Sequence, residues 1–401
     1  MRTQGVFELP RSLPGGVRAL LRSRLSAVSE TGAQVLTAAA VIGRPAEFET
    51  LPGAQPKSHL SATMSGCANW HTRRPVLAAG ACCIDVWRRR CAAVGALAAQ
   101  IALHYQTAGE DADAAEYFRL AGDYARSLYA NAEALAHFRA ALALGHPDTA
   151  ALHEATGDLL TLAGDYAAAG ASYELAAALR ERDAGPLAAI EHKLANLACR
   201  RGEWDLAESH FEAAHAALDG NESGAADTAR LYADWSLVAH RRGLPARAVE
   251  LARQALTKAE TASDARALAQ AHNSLGILAS SRGELDQART HLQQSLGAAE
   301  RLNDPVAKVA ALNNLALVER RSGDGARAIG LVEAALALCA MQGDRHREAA
   351  LHNNLADLLH AAGRGEDAMA HLKQAVAIFA EVGSHVGAAE PSPEIWKLTE
   401  W

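Results

Sequence analysis

Residues 312–336 read LNNLALVERRSGDGARAIGLVEAAL, and residues 351–376 follow the same pattern as LHNNLADLLHAAGRGEDAMAHLKQAV. In each stretch, apolar residues recur at spacings of three, four and seven on both sides of a glycine. That spacing predicts two amphipathic helices joined by a tight turn. The two glycines, Gly323 and Gly363, lie 40 residues apart (363 − 323). The chain therefore repeats a helix pair about every 40 residues.

The same period continues toward the N-terminus. The intervals between successive turn glycines are 38, 41, 40, 40 and 40 residues, and the glycines are Gly164, Gly202, Gly243, Gly283, Gly323 and Gly363. An alanine follows each of them by five residues, at Ala169, Ala207, Ala248, Ala288, Ala328 and Ala368. An earlier unit fits the same columns with Tyr129 at the turn, which makes seven candidate repeats. A single helix pair cannot bury both its faces, so we expect the pairs to stack in series.

These columns resemble the tetratricopeptide repeat (TPR) family over roughly Ala114 to Val382. The repeat here is longer, about 40 residues against the family's 34. The resemblance implies an all-α fold, a TPR-like α-solenoid in which about seven helical hairpins form a right-handed superhelix. It also implies that the chain acts by binding a protein or peptide in the concave groove of that superhelix.

The N-terminal segment 9–44, LPRSLPGGVRALLRSRLSAVSETGAQVLTAAAVIGR, resembles the small helical, winged-helix-like segment of STAND-class signalling ATPases. That class includes LuxR-type bacterial transcriptional regulators, so the resemblance implies a regulatory or sensor arm. The chain carries no G-x-x-x-x-G-K-[ST] loop, which leaves an ATPase domain or partner chain upstream as the expected source of nucleotide binding. Two alternatives stay open: a free-standing TPR scaffold without an ATPase link, and an enzyme built on the helical array.

The predicted domain order has five parts. These are a winged-helix-like remnant at 1–52, an anomalous segment at 53–92, a connecting helix at 93–113, the TPR-like repeats at 114–382 and a C-terminal tail at 383–401. The anomalous segment is either a divergent loop or a stretch in an altered reading frame. Its cysteines, Cys67, Cys82, Cys83 and Cys91, lack the paired spacing of zinc ligands, so we expect no metal site there.

Composition excludes several functional classes. The net charge of −7 argues against a nucleic-acid partner, which would require a basic surface. The N-terminus lacks the apolar region of a secretory signal, and the apolar runs are too short to span a membrane, so a cytoplasmic location is expected. No hydrolase, zinc-protease or cofactor-loop motif occurs among the 17 histidines and their neighbours, which predicts a non-enzyme without a cofactor.

Two sets of side chains are predicted to face the groove. The first is an asparagine series at one position of three successive repeats: Asn273, Asn313, Asn314, Asn353 and Asn354. Amides can bond the backbone of an extended peptide, as the similar ladders of kinesin light chains and bacterial peptide-pheromone receptors imply. The second is a set of arginines near the turn glycines: Arg200, Arg241 and Arg321. The alternatives are that the amides only join neighbouring helices and that the arginines only complement helix dipoles.

Overall fold

The repeated helix pairs of the sequence form successive α-helices joined by short turns. The computed structural model describes residues 95–180, 182–218 and 224–384, and no strand occurs in these ranges. The predicted all-α, TPR-like solenoid is therefore confirmed. The segments predicted at 1–52 and 53–92 lie outside the described residues, as does the tail beyond the last helix.

The helices are numbered α1 to α15 along the described part of the chain. They are α1 (95–108), α2 (Asp111–Ser127), α3 (Asn131–Ala143), α4 (Thr149–Ala163), α5 (Tyr166–Leu179), α6 (Ala184–Arg201), α7 (Trp204–Leu218), α8 (Ala225–Arg241), α9 (Pro245–Ala262), α10 (Ala265–Ser281), α11 (Leu285–Leu302), α12 (Pro305–Arg321), α13 (Gly325–Gln342), α14 (Arg345–Ala361) and α15 (Gly365–Ser384). The chain divides into two compact units, Met1–Tyr124 and Ala125–Trp401. In the first, Tyr105 of α1 stacks on Tyr117 of α2 with ring centroids 5.4 Å apart.

Residue type determines where these helices begin and end. An aspartate caps the first turn of α4, α5, α10, α12, α13 and α14, where its carboxylate accepts a hydrogen bond from a backbone N–H. The turn glycines have positive φ, from 73° at Gly202 to 90° at Gly323, as the left-handed end of a helix requires. Tyr129 adopts the same conformation, with φ 59°, at the turn between α2 and α3. The predicted turn positions are thus confirmed.

The core of the second unit lies between and within the helix pairs from α4–α5 to α14–α15. The alanine that follows each turn glycine is fully buried from Ala169 to Ala328. Its small side chain lets the two helices of a pair approach closely, while Phe211, Leu292 and Val332 fill the space one turn further on. The first helices α6, α8, α10 and α12 also contact one another in that order, so they form a continuous inner layer.

The seventh pair, α14–α15, also packs back against the second and third pairs. One apolar cluster contains Leu160, Tyr166 and Leu197 from α4 to α6 together with Phe379 and Val382 from α15. We call this contact region the closing seam. Because of it, the array from α4 to α15 curls until its last pair meets its early pairs, and the first helices surround a central space.

Helix α13 is the one helix among the described residues that is long and apolar enough to cross a membrane by those two criteria. It packs between α12 and α14, with Val332, Ala335 and Cys339 buried in the core. Its apolar character fits the second helix of a repeat pair, which contributes one face to the core.

Candidate functional site

The first helices line a half-open cavity of about 570 Å³. Cavities of roughly 300–1,000 Å³ are typical of sites for small ligands. Its wall is mostly apolar, with Leu237, Val306 and Ala310 among the contributing side chains. Asn196, Gln270 and several charged groups supply the polar part. An apolar wall with a few directed polar groups is the usual composition of a ligand site.

The cavity runs diagonally across the helices. It contacts the C-terminal halves of α6 and α8, at residues 193–200 and 234–241. On α10, α12 and α14 it contacts the N-terminal ends instead, at residues 266–273, 306–310 and 346–347. Successive pairs are therefore offset along the stack, and no single column of the repeat lines the whole cavity.

One wall carries a carboxylate that is held by three neutral or weakly basic partners. Asp234 of α8 accepts hydrogen bonds from His192 Nε2 at 2.8 Å, Asn196 Nδ2 at 3.1 Å and Gln270 Nε2. Burial alone would raise the pKa of Asp234, but the bonds from His192, Gln270 and Asn196 lower it below its ordinary value. Asp234 is thus an ionised group that ties α6, α8 and α10 together at the cavity wall.

A second part of the wall is basic and adjoins the closing seam. Arg200 of α6 donates two hydrogen bonds to Asp344, with Nη1–Oδ1 and Nη2–Oδ2 distances of 2.9 and 2.7 Å. Arg347 of α14 lies 3.6 Å from the same carboxylate. Burial and the neighbouring Arg200 lower the pKa of Arg347. Two guanidinium groups therefore share one carboxylate beside the cavity.

A hydrogen-bonded pair extends this wall. The Tyr166 hydroxyl lies 2.6 Å from His346 Nδ1. Burial raises the pKa of Tyr166 to about 12, whereas burial and Arg200 lower the pKa of His346 to about 3. Both side chains are therefore neutral near pH 7. His346 is 3% exposed and lines the cavity, and no described residue hydrogen-bonds to its Nε2 atom.

Two further cations of the wall are paired with carboxylates. Lys193 lies 2.7 Å from Asp158 and 2.7 Å from Glu154, and these carboxylates raise its pKa against the effect of burial. Arg266 lies 3.0 Å from Asp304.

Three of the eight sequence-predicted site residues line the cavity: Asn273, Arg200 and Arg241. Arg321 lies elsewhere and donates hydrogen bonds to the carbonyl and hydroxyl oxygens of Ser280. Asn353 is half-buried on α14 and does not line the cavity.

The remaining three asparagines form a buried relay between helices together with Asn273. Asn354 donates to Asn313 at 2.8 Å, Asn313 to Asn314 at 3.2 Å, and Asn314 to Asn273 at 2.9 Å. These four side chains are at most 8% exposed. The geometry favours the second interpretation of the series, in which the amides join α10, α12 and α14.

Sequence reasoning missed most polar residues of the wall, among them Asp234, Gln270, His346 and Arg347. Their residue types do not recur along a column, so periodicity could not indicate them; Asp234, for example, stands at the position of Asn314 and Asn354. One local signal was available for the last two, since both lie in the first turn of α14, within three residues of the helix-capping Asp344.

Comparisons with known proteins agree with this architecture. A family model for the tetratricopeptide repeat matches residues 308–381. A search of curated proteins found no match.

Three solved structures are similar over most of their length. The Rap conjugation gene regulator of the plasmid pLS20, in complex with a Phr peptide, shares 15% identity, with 72% of this chain and 79% of that chain covered and a TM-score of 0.56. Rap protein complexed with Competence and Sporulation Factor shares 15% identity, with 68% of this chain and 76% of that chain covered and a TM-score of 0.54. The apo form of the quorum sensor NprR from B. thuringiensis shares 14% identity, with 73% of this chain and 84% of that chain covered and a TM-score of 0.53. At these identities the likeness concerns the fold, which is a TPR-like α-solenoid.

Proposed function

We propose that this chain is a non-catalytic sensor module that binds a short peptide, or a peptide segment of a protein, in its central cavity. The observation that carries the proposal is that the first helices of six pairs, α4 to α14, all line one half-open cavity. A ligand there touches residues that are far apart along the chain, including both sides of the closing seam. Binding can therefore change how the pairs stack, which is what a sensor requires.

The chemistry of the wall supports a peptide as the ligand. Asn196, Gln270 and Asn273 offer amide groups that can bond a peptide backbone, while Leu237 and Val306 offer apolar surface for side chains. The two Rap structures that share the fold contain the Phr peptide and Competence and Sporulation Factor, respectively. These likenesses support a regulatory role for the same architecture here.

We further propose that the module belongs to a bacterial signalling or transcriptional regulator of the STAND type, with an ATPase domain or partner chain upstream. This part of the proposal rests on the resemblance of segment 9–44, which lies outside the described residues. The second candidate is a free-standing TPR scaffold, favoured by the uninterrupted stacking of helix pairs from α4 to α15. A P-loop coding region upstream of the gene would support the first, and its absence in the genome would support the second.

Peptide capture tests the binding function. A pool of random-sequence pentapeptides is passed over immobilised protein, and retained peptides are identified by mass spectrometry. We expect Ala307→Trp to reduce retention at least about tenfold, because Ala307 lines the cavity and an indole would occupy it. Ala326→Trp is the matched control, since Ala326 is exposed on α13 and does not line the cavity. The proposal fails if the native protein retains no peptide, or if the two variants retain peptides equally.

A further inference from the structure

We infer that segment 393–401 of this chain docks as a short helix on an open apolar face of α15. The face consists of Met369, Leu372 and Val376, which lie on one side of the helix at spacings of three and four residues (372 − 369, 376 − 372). These side chains are 53%, 38% and 60% exposed. None of them lines the cavity, so the inference does not depend on the proposed function.

The preceding helix pair shows what this face does inside the array. Ile329, Val332 and Leu336 of α13 stand 40 residues before the three exposed side chains (369 − 329, 372 − 332, 376 − 336). They pack in one apolar cluster with Leu355 and Leu358 of the following first helix, α14. In α13 this face is therefore the contact surface for the next first helix, and α15 offers the same surface open.

Past α15, the sequence keeps the apolar columns of a first helix. Ile395 stands 40 residues after Leu355 (395 − 355). Leu398 stands 40 residues after Leu358 (398 − 358). Segment 393–401 thus carries apolar residues at the two positions that contact the equivalent face of α13.

Charged residues continue the exposed columns of the same helix. Asp357 and His360 are exposed on α14. Lys397 and Glu400 stand 40 residues after them (397 − 357, 400 − 360). An apolar stripe with charged residues on the opposite side is the pattern of a surface helix that packs through one face.

Local signals predict that this helix begins at Pro393. Ser392 is a preferred N-cap residue, and proline is preferred at the first helical position. Gly387 and Pro391 disfavour a helix in the residues just before it. The predicted helix therefore corresponds to the second half of a first helix, residues 353–361 of α14.

The open part of α15 is the part that such a half-helix would contact. Helices joined by short turns run antiparallel, so the second half of a first helix lies beside the N-terminal half of the helix before it. At the other end of α15, Phe379 and Val382 belong to the closing seam and pack with residues of α4 to α6. The seam and the segment together would cover the whole face.

The length of the connection favours this segment over a second copy of the chain. Eight residues separate Ser384 from the start of the helix (392 − 384), and they can span about 26 Å. The distance back along α15 from Ser384 to Val376 is only about 12 Å. A segment held by so short a connection has a high effective concentration at the face.

Hydrogen exchange of the full-length protein tests the docking. We expect the backbone amides of residues 396–401 to exchange at least about tenfold more slowly than those of an unstructured chain. Val376→Asp should remove this protection, because it places a charge in the apolar contact. Ala377→Asp is the matched control, since Ala377 and its equivalent on α13, Ala337, are both exposed. It should leave the protection unchanged.

Two variants in the segment repeat the test without altering α15. Leu398→Asp should remove the protection, and Lys397→Asp should keep it. Absence of protection in the native protein, or equal loss in both members of either variant pair, overturns the inference. Protection that increases with protein concentration also overturns it, because the face would then bind a second copy of the chain.

Discussion

Arg200 and Asp344 lie 144 residues apart along the chain (344 − 200), yet they form a two-bond ion pair that joins the third helix pair to the seventh. The carboxylate is 4% exposed and the guanidinium 19% exposed. Burial would raise the pKa of Asp344, but the Arg200 guanidinium holds it below its usual range. The ion pair therefore stabilises the closing seam in its charged form.

Asp344→Asn tests this contribution. Asparagine keeps the helix cap, so the variant removes the charge and leaves Arg200 buried without its counterion. We expect a loss of about 3–5 kcal/mol in the free energy of unfolding, measured by urea denaturation at pH 7. Because the pKa of Asp344 is depressed on folding, the difference from the native protein should narrow as pH falls below the usual aspartate range. Asp367→Asn is the control, because Asp367 forms an exposed pair with Arg364, and it should change stability by no more than about 0.5 kcal/mol. Similar losses in both variants would contradict a stabilising role for the Arg200–Asp344 ion pair.

Gly164 provides a second test of the seam. Its φ of +84° is strained for any residue with a Cβ, and an added Cβ would lie 2.6 Å from Val382 Cγ2. Gly323 has a comparable φ of +90° and open space around the same position. We expect Gly323→Ala to cost about 1–2 kcal/mol for the backbone alone and Gly164→Ala about 1–3 kcal/mol more, by thermal or urea denaturation. Equal costs would mean that α15 does not pack against this turn in solution.

The sequence was sufficient to predict the repeats because their requirements are local. A left-handed turn selects glycine, and a close helix crossing selects alanine, so Gly283 and Ala288 are recognisable without a structure. The same reasoning placed the helix pairs from Gly164 onward. The helix pairs could be predicted because the turn conformation and the small side chains at the crossing recur in every unit.

The cavity could not be predicted in the same way. Each pair is offset relative to the last, and the offset accumulates, so equivalent residues have different surroundings in successive repeats. Asn273 lines the cavity, whereas Asn313, 40 residues later (313 − 273), is fully buried between helices. His346 and Arg347 reach the wall because α14 meets α4 at the closing seam. Such a contact depends on the sum of many small rotations and leaves no repeated pattern in the sequence.

The asparagine relay separates the two interpretations of the asparagine series. Asn313 is fully buried and accepts a hydrogen bond from Asn354. Asn313→Ala would leave a buried amide group without this acceptor, so we expect a loss of about 1–3 kcal/mol in urea denaturation. Asn353→Ala, at the adjacent half-buried position, should cost less than about 1 kcal/mol. The opposite order, or a strong loss of peptide retention with full stability for Asn313→Ala, would support the groove-facing interpretation instead.

Two histidine pairs occupy equivalent positions in the fifth and seventh repeats. His272 Nδ1 lies 3.1 Å from His291 Nδ1, and His352 Nδ1 lies 2.8 Å from His371 Nδ1. Burial, followed by His371 and Arg345, lowers the pKa of His352 to about 4. Burial and the partner His291 also lower the pKa of His272. In each pair of neutral rings, one ring donates a hydrogen bond to the other. Protonation of both rings would place two positive charges side by side.

Acid should therefore destabilise the protein through these pairs. The unfolded chain takes up protons at a pKa near 6.5, above the folded value for His352, so the stabilising contribution is complete above pH 6.5 and declines as pH falls towards about 4. The sixth repeat shows that leucine fits at both positions of the pair. Leu312 and Leu331 stand there in place of His352 and His371, and both pack in the core. We expect the double substitution His352→Leu and His371→Leu to reduce the loss of stability between pH 6.5 and 4 by about 1–3 kcal/mol, in urea denaturation across that range. An unchanged pH profile would mean that the folded protein protonates the seventh-repeat pair as readily as the unfolded chain does.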